Sequence, residues 1–116
     1  MAHAVVHHDE VEAQFNGVFK PMRSALGVTA FGVNRLSLPA GADGPEHDHS
    51  KDGQDEVYVI VEGSGKVTVG GEEHDVRVGH FVYADAGTRR QVTAGPEGIS
   101  WIGIGCQPGG YTPRDG

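Results

Sequence analysis

At 116 residues the chain has the length of one domain, enough to bury roughly two-thirds of its unfolded surface around a single core. Its formal charge of −7 repels polyphosphate, and its basic residues are scattered apart from Arg89 and Arg90, which excludes the electrostatic footprint of a DNA or RNA binder. The one cysteine, Cys106, permits no intrachain bridge, which argues against a disulfide-stapled secreted module and suits a reducing cytoplasm.

Residues 1–20 are polar and mixed, with Val11, Phe15 and Val18 fitting an amphipathic segment poorly, and are expected to form an arm of the same domain. No basic leader precedes an apolar run there, and no later stretch is apolar for long enough to cross a bilayer, so no membrane partner is expected. From Gly27 to Leu38 the β-branched and aromatic content rises, and Pro39-Ala-Gly41 closes the run, predicting a strand. His47 and His49 follow at a spacing of two, which on an extended strand puts two imidazoles on one face. His49 and Glu56 are an odd number of residues apart, so a turn must lie between them, and Ser50-Lys-Asp-Gly53 is suitable turn chemistry.

The next strand carries Glu56, Tyr58 and Ile60 on one face and Val57, Val59 and Val61 on the other. Apolar on both sides, it needs cover on both: the interior on one, the N-terminal arm or a second subunit on the other. Gly63-Ser-Gly65 predicts a turn into Lys66-Val-Thr-Val69, and Gly70-Gly71 a two-residue hairpin. Val76 and Val78, Phe81-Val-Tyr83, Val92 and the run Ile99 to Ile104 supply the remaining strands. The tail, residues 107–116, holds two prolines and three glycines and should be extended and irregular. The pattern calls for no helix and predicts an all-β domain, with the barrel over residues 21–106.

Two imidazoles and a carboxylate brought together can hold a metal, and His47, His49 and Glu56 are the candidate ligands. Gln54 shares the parity of Glu56 and could add an amide oxygen. Arg90 has two readings: it pairs with Glu56, or it stands back and leaves a His-His-Glu set with open positions. Tyr58, on the face of Glu56, could line a pocket. His74 and His80 read as turn residues outside the cavity, and His3, His7 and His8 as arm residues able to hold adventitious nickel. Cys106 has no evident neighbour to activate it.

Gly41, five residues, His47-x-His49, a spacer, Glu56, six residues and Gly63 resemble the first motif of the cupin family, with a spacer two residues longer than usual. Gly79 and Gly87 resemble the second motif, but Asp85 stands in place of its proline and Arg90 in place of its histidine, the fourth metal ligand. The resemblance spans residues 41 to about 94. It implies an antiparallel double-stranded β-helix, the jelly-roll barrel, as a single domain and a homodimer. It also implies a divalent metal ion (Fe, Mn, Ni or Zn) on His47, His49 and Glu56, with Arg90 and Tyr58 against a small-molecule ligand. The expected function is that of a metal-dependent enzyme of the oxygenase, isomerase or cyclase class. The alternative is a non-catalytic small-molecule or anion-binding module that has lost its metal, with Arg90 in the metal position.

Overall fold

Runs of β-branched and aromatic residues punctuated by glycine become an antiparallel double sheet in the structure, a computed structural model that describes residues 2–114. The strands are β1 (Phe19–Lys20), β2 (Gly32–Leu38), β3 (Asp55–Val69), β4 (Glu72–Arg77), β5 (Phe81–Ala84) and β6 (Arg90–Cys106). Their order is β1-β2-β6-β3-β4, with β5 also pairing with β3.

Two long strands make the barrel. The first half of β3 pairs with the second half of β6, from Asp55 opposite Cys106 to Ile60 opposite Trp101. Its second half pairs with the first half of β6, from Gly65 opposite Ala94 to Val69 opposite Arg90, with register shifts between Ile60 and Glu62 and between Gly63 and Gly65. Each strand therefore bends through a corner and serves both sheets. The expected turn at Gly63-Ser-Gly65 is a bend inside one strand, and the expected separate strands around Val92 and Ile99 are likewise one. The reason is local: Gly63 and Gly98 both adopt left-handed backbone, and a Cβ on Gly63 would collide with the Gly98 carbonyl, so the chains kink while staying paired.

The edge of the second sheet is the extended segment 42–49, bridged to β6 at Asp43 opposite Thr93 and at His47 opposite Arg90. Pro45 has no N–H to give, and between the bridges this segment advances one residue more than β6. His47 and His49 thus lie on a bulged, partly paired segment and not on the regular strand expected of them. The turn at residues 50–53 is present, with Gly53 N–H donating to the His49 carbonyl at 2.8 Å. Gly70 and Gly71 both have positive φ, as a two-residue hairpin requires.

One short helix, α1 (Met22–Leu26), corrects the expectation of none. Gly27 ends it in left-handed conformation, its N–H bonding to the carbonyls of Arg23 and Ser24, so β2 starts at Gly32 and not at Gly27. At the end of the arm, Phe19–Lys20 pairs with β2 as an edge strand. The core between the sheets gathers Leu38, Ile60, Val67, Val76, Val92, Ile99 and Trp101, each buried large side chain contributing about 1.5–3 kcal/mol. Among the described residues no helix is long and apolar enough to cross a membrane.

The corner yields a direct test. Gly63→Ala should lower stability by about 3 kcal/mol or more, since left-handed strain adds to the collision with Gly98. Gly87→Ala, with open space around it, should stay within about 0.5 kcal/mol. Urea unfolding midpoints of the two variants against the wild type check both.

Candidate metal centre

β3 turns Glu56 and Tyr58 inward, and the bulged segment brings His47 and His49 over them from the facing sheet. The four line one cavity of about 200 Å³ together with Asn34, Leu36 and Trp101. The ligand atoms of His47, His49 and Glu56 all lie within 4.8 Å of one another, and the two imidazoles meet edge to face with centroids 5.3 Å apart.

Both imidazoles are oriented through Nδ1. In His47 this atom lies 3.1 Å from the Pro45 carbonyl, and in His49 it lies 3.1 and 3.0 Å from the two carboxylate oxygens of Asp52. These partners only accept, so each Nδ1 is the donor in its contact. A carboxylate or carbonyl behind a histidine in this way fixes the ring and its tautomer for metal ligation. The His49 hydrogen bond, first among several causes, holds the Asp52 carboxyl below the usual carboxylate range.

Glu56 completes the set. Its Oε1 is buried, lies 3.1 Å from His49 Nε2, and accepts no hydrogen bond from any described group. Two imidazoles and a buried carboxylate oxygen without a hydrogen bond, their ligand atoms within 4.8 Å of one another, are a donor set that fits a divalent ion. Gly105 lies opposite Glu56 on β6, where a Cβ would come within 3.2 Å of Glu56 Cγ, so only a glycine leaves the carboxylate side chain its place.

Arg90 pairs with Glu56, as the first of its two readings has it, but it does not line the cavity. Its guanidinium is 1% exposed and set back from the cavity, with Nη2 at 3.6 Å from Glu56 Oε1. Nη1 donates to the Thr88 carbonyl at 2.9 Å, and Nη2 donates to the carbonyls of Ala84 and Asp85 at 3.2 and 3.3 Å. With both Nη donors on backbone carbonyls and Nε buried without a partner among the described residues, Arg90 stands behind Glu56 and does not line the cavity. Tyr58 does border the cavity; burial first, and then the charge of Glu56, push its phenol well above the usual value, so it stays a neutral hydrogen-bonding group. Gln54 faces elsewhere, into a surface depression beside Gly105 and Cys106.

The remaining histidines stay apart from this centre. His80 Nδ1 accepts from the Arg77 N–H, and His74 faces Glu72 in the β4 hairpin. His7, His8 and Asp9 form a second His-Asp cluster on the arm, but Lys20 Nζ stands 3.1 Å from His8 Nδ1 and opposes a cation there. His3 is exposed on the same arm. Reading the sequence missed Asp52, whose signal was an acidic residue three positions after His49 inside the turn, and Trp101, which read simply as a core aromatic.

A sequence profile described as the cupin domain matches residues 34–104. A dimethylsulfoniopropionate lyase of Ruegeria pomeroyi is 33% identical over 79 residues, 68% of this chain and 45% of that protein, so the chain spans less than half of that curated relative. Among solved structures, a cupin protein from Bacteroides fragilis superposes with a TM-score of 0.73 at 30% identity, covering 85% of this chain and 86% of that one. A sugar phosphate isomerase of the cupin superfamily from Silicibacter pomeroyi gives a TM-score of 0.68 at 25% identity, over 77% and 58% of the two chains.

The support behind His49 can be probed directly. Asp52→Ala frees the His49 ring to rotate and to change tautomer, and should weaken divalent-metal binding by about 10- to 100-fold. Calorimetric titration with Zn²⁺, beside a circular dichroism spectrum unchanged from wild type, measures it.

Proposed function

Because this chain belongs to the cupin family, we propose that it is a divalent-metal-dependent enzyme that acts on a small oxygen-bearing organic molecule in its barrel cavity. The observation that carries this reading is the clustering of His47, His49 and Glu56 with their ligand atoms within 4.8 Å of one another, Glu56 Oε1 accepting no hydrogen bond from a described group. Such a three-residue set leaves further coordination positions for substrate, and Fe, Mn, Ni and Zn all accept it. A bound ion there supplies Lewis-acid polarisation of a substrate oxygen. The names of the similar proteins, a lyase and an isomerase, favour that chemistry over oxygenation.

The protein's own groups divide the remaining work. Asp52 and the Pro45 carbonyl hold the imidazoles. Arg90 stands behind Glu56, its Nη2 3.6 Å from Oε1. Tyr58, kept protonated by burial, offers a hydrogen bond to a substrate oxygen and does not serve as a base. A second reading, a binding module without metal, draws on one observation: the charge of Arg90 lies 3.6 Å from Glu56.

Metal content separates the two readings. Protein purified without a tag, and with His3, His7 and His8 replaced by alanine, should retain near-stoichiometric divalent metal. His47→Ala, His49→Ala and Glu56→Ala should each lose most of it, as read by elemental analysis. Metal that vanishes with the arm histidines alone would favour the binding module.

The molecular partner of the barrel is, on this reading, a second copy. On the outer face Val33, Ile104, Val57 and Tyr83 form one row across four strands, and Ile102, Val59 and Phe81 continue the next. Phe81 is 71% exposed and Tyr83 62%, so within one chain this face is uncovered by the arm, and a contiguous apolar face is a liability for a monomer. A two-fold interface over these rows would bury it. The cytoplasm, where the single thiol of Cys106 would stay reduced, is the compartment that suits this assembly. Sedimentation velocity at micromolar concentration should give a dimer for the wild type and a monomer for Phe81→Asp, with Zn²⁺ binding retained in both.

A further inference from the structure

The lining of the cavity includes a residue whose polar group has nothing to bind. Trp101 is 4% exposed, packs its ring against Tyr58 with centroids 5.8 Å apart, and borders the cavity. Its Nε1 is buried and finds no acceptor among the described residues. An indole N–H can only donate, and leaving such a donor unpaired in the interior is costly, so an acceptor supplied from the cavity that Trp101 borders would relieve that cost. Nearby, Asn34 and Tyr58 face each other across Gly103, which has no side chain to separate them, and no described group hydrogen-bonds the Asn34 amide.

Charge narrows the acceptor. No lysine or arginine lines this cavity, and the guanidinium of Arg90 lies behind Glu56 with its Nη donors on carbonyls. An anion at the Trp101 end would therefore be desolvated without a counter-charge. The space is small too: about 200 Å³ lies below the roughly 300–1,000 Å³ typical of sites for drug-sized ligands. Building on the metal reading above, we propose that Trp101 Nε1 is a specificity group that binds a neutral acceptor oxygen, a ketone, ester or amide carbonyl. That oxygen belongs to a small molecule whose other end is held at His47, His49 and Glu56. Substrates with a phosphate or a second carboxylate at the distal end are rejected.

The single tryptophan gives the test its readout, because the protein has one indole N–H resonance. Zn²⁺-loaded protein, with Zn²⁺ binding first established by calorimetry, is titrated with 4-oxopentanoate, with 4-methylpentanoate, which has the same shape without the carbonyl, and with succinate. The ketone should move the indole proton downfield and bind about tenfold tighter than the other two, an advantage that Trp101→Phe narrows to within about twofold. Equal affinities in the wild type, an indole proton unmoved at saturation, an advantage that survives in Trp101→Phe, or no binding of any of the three would each overturn the inference. A protein that takes up no Zn²⁺ would instead count against the metal reading. The same indole shift is then sought with 2-pentanone, which needs no metal, and its absence would overturn the role of Trp101 independently.

Discussion

A guanidinium buried to 1% exposure must find its partners inside the protein, and the geometry of the site follows from how Arg90 finds them. Taking an ion out of water costs several kcal/mol, and removing its partners would leave that cost uncompensated. Three carbonyls from the loop between β5 and β6 close around the side chain, which fixes that loop's shape. The Arg90 backbone exchanges both hydrogen bonds with His47, at 3.0 and 2.9 Å, so the same residue positions a candidate ligand on the facing segment. Glu56, at 3.6 Å, is the nearest negative charge. One buried cation thus sets the loop, a histidine and the carboxylate relative to one another.

The parts of this arrangement that sequence made legible are those decided over a few residues. Alternation along an extended segment put His47 and His49 on one side, and the chemistry of Ser50 to Gly53 required the turn that lets Glu56 rejoin them. What sequence hid depends on distant partners. A glycine pair such as Gly63 and Gly65 reads the same whether it ends a strand or bends one, and the choice is made by Gly98 on the strand alongside. The five-residue helix Met22–Leu26 is too short to leave a periodicity and owes its end to Gly27. The sequence leaves open whether Arg90 pairs with Glu56 or stands back from it. That it would do something of both, committed to carbonyls yet close to the carboxylate, depends on a loop conformation that no spacing encodes.

The two faces of β3 divide the molecule's polar and apolar business. Inward, Glu56 and Tyr58 give the cavity its polar rim, while Ile60 and Val67 anchor the core. Outward, valines pair with Ile102, Ile104, Phe81 and Tyr83. A substitution on one face is therefore largely insulated from the other, since the pleat directs neighbouring residues to opposite sides. Chemistry and assembly can vary separately on the same strand.

The segment that carries both histidines is joined to β6 irregularly. It meets β6 at two isolated bridges with a proline between them, held by backbone hydrogen bonds at Ala42, Gly44 and His47, whereas the opposite wall is a continuous ladder from Asp55 to Ile60. Irregularly paired edge segments open at a lower free energy than the fold as a whole, so this wall should open while the two shared strands stay intact. Such a hinge makes the exchange of a bound ion a local event, with a rate set by the opening of residues 42–53 and not by global unfolding. It also gives amide hydrogens such as those of Gly44 and His47 an exchange regime separate from those of the core strands.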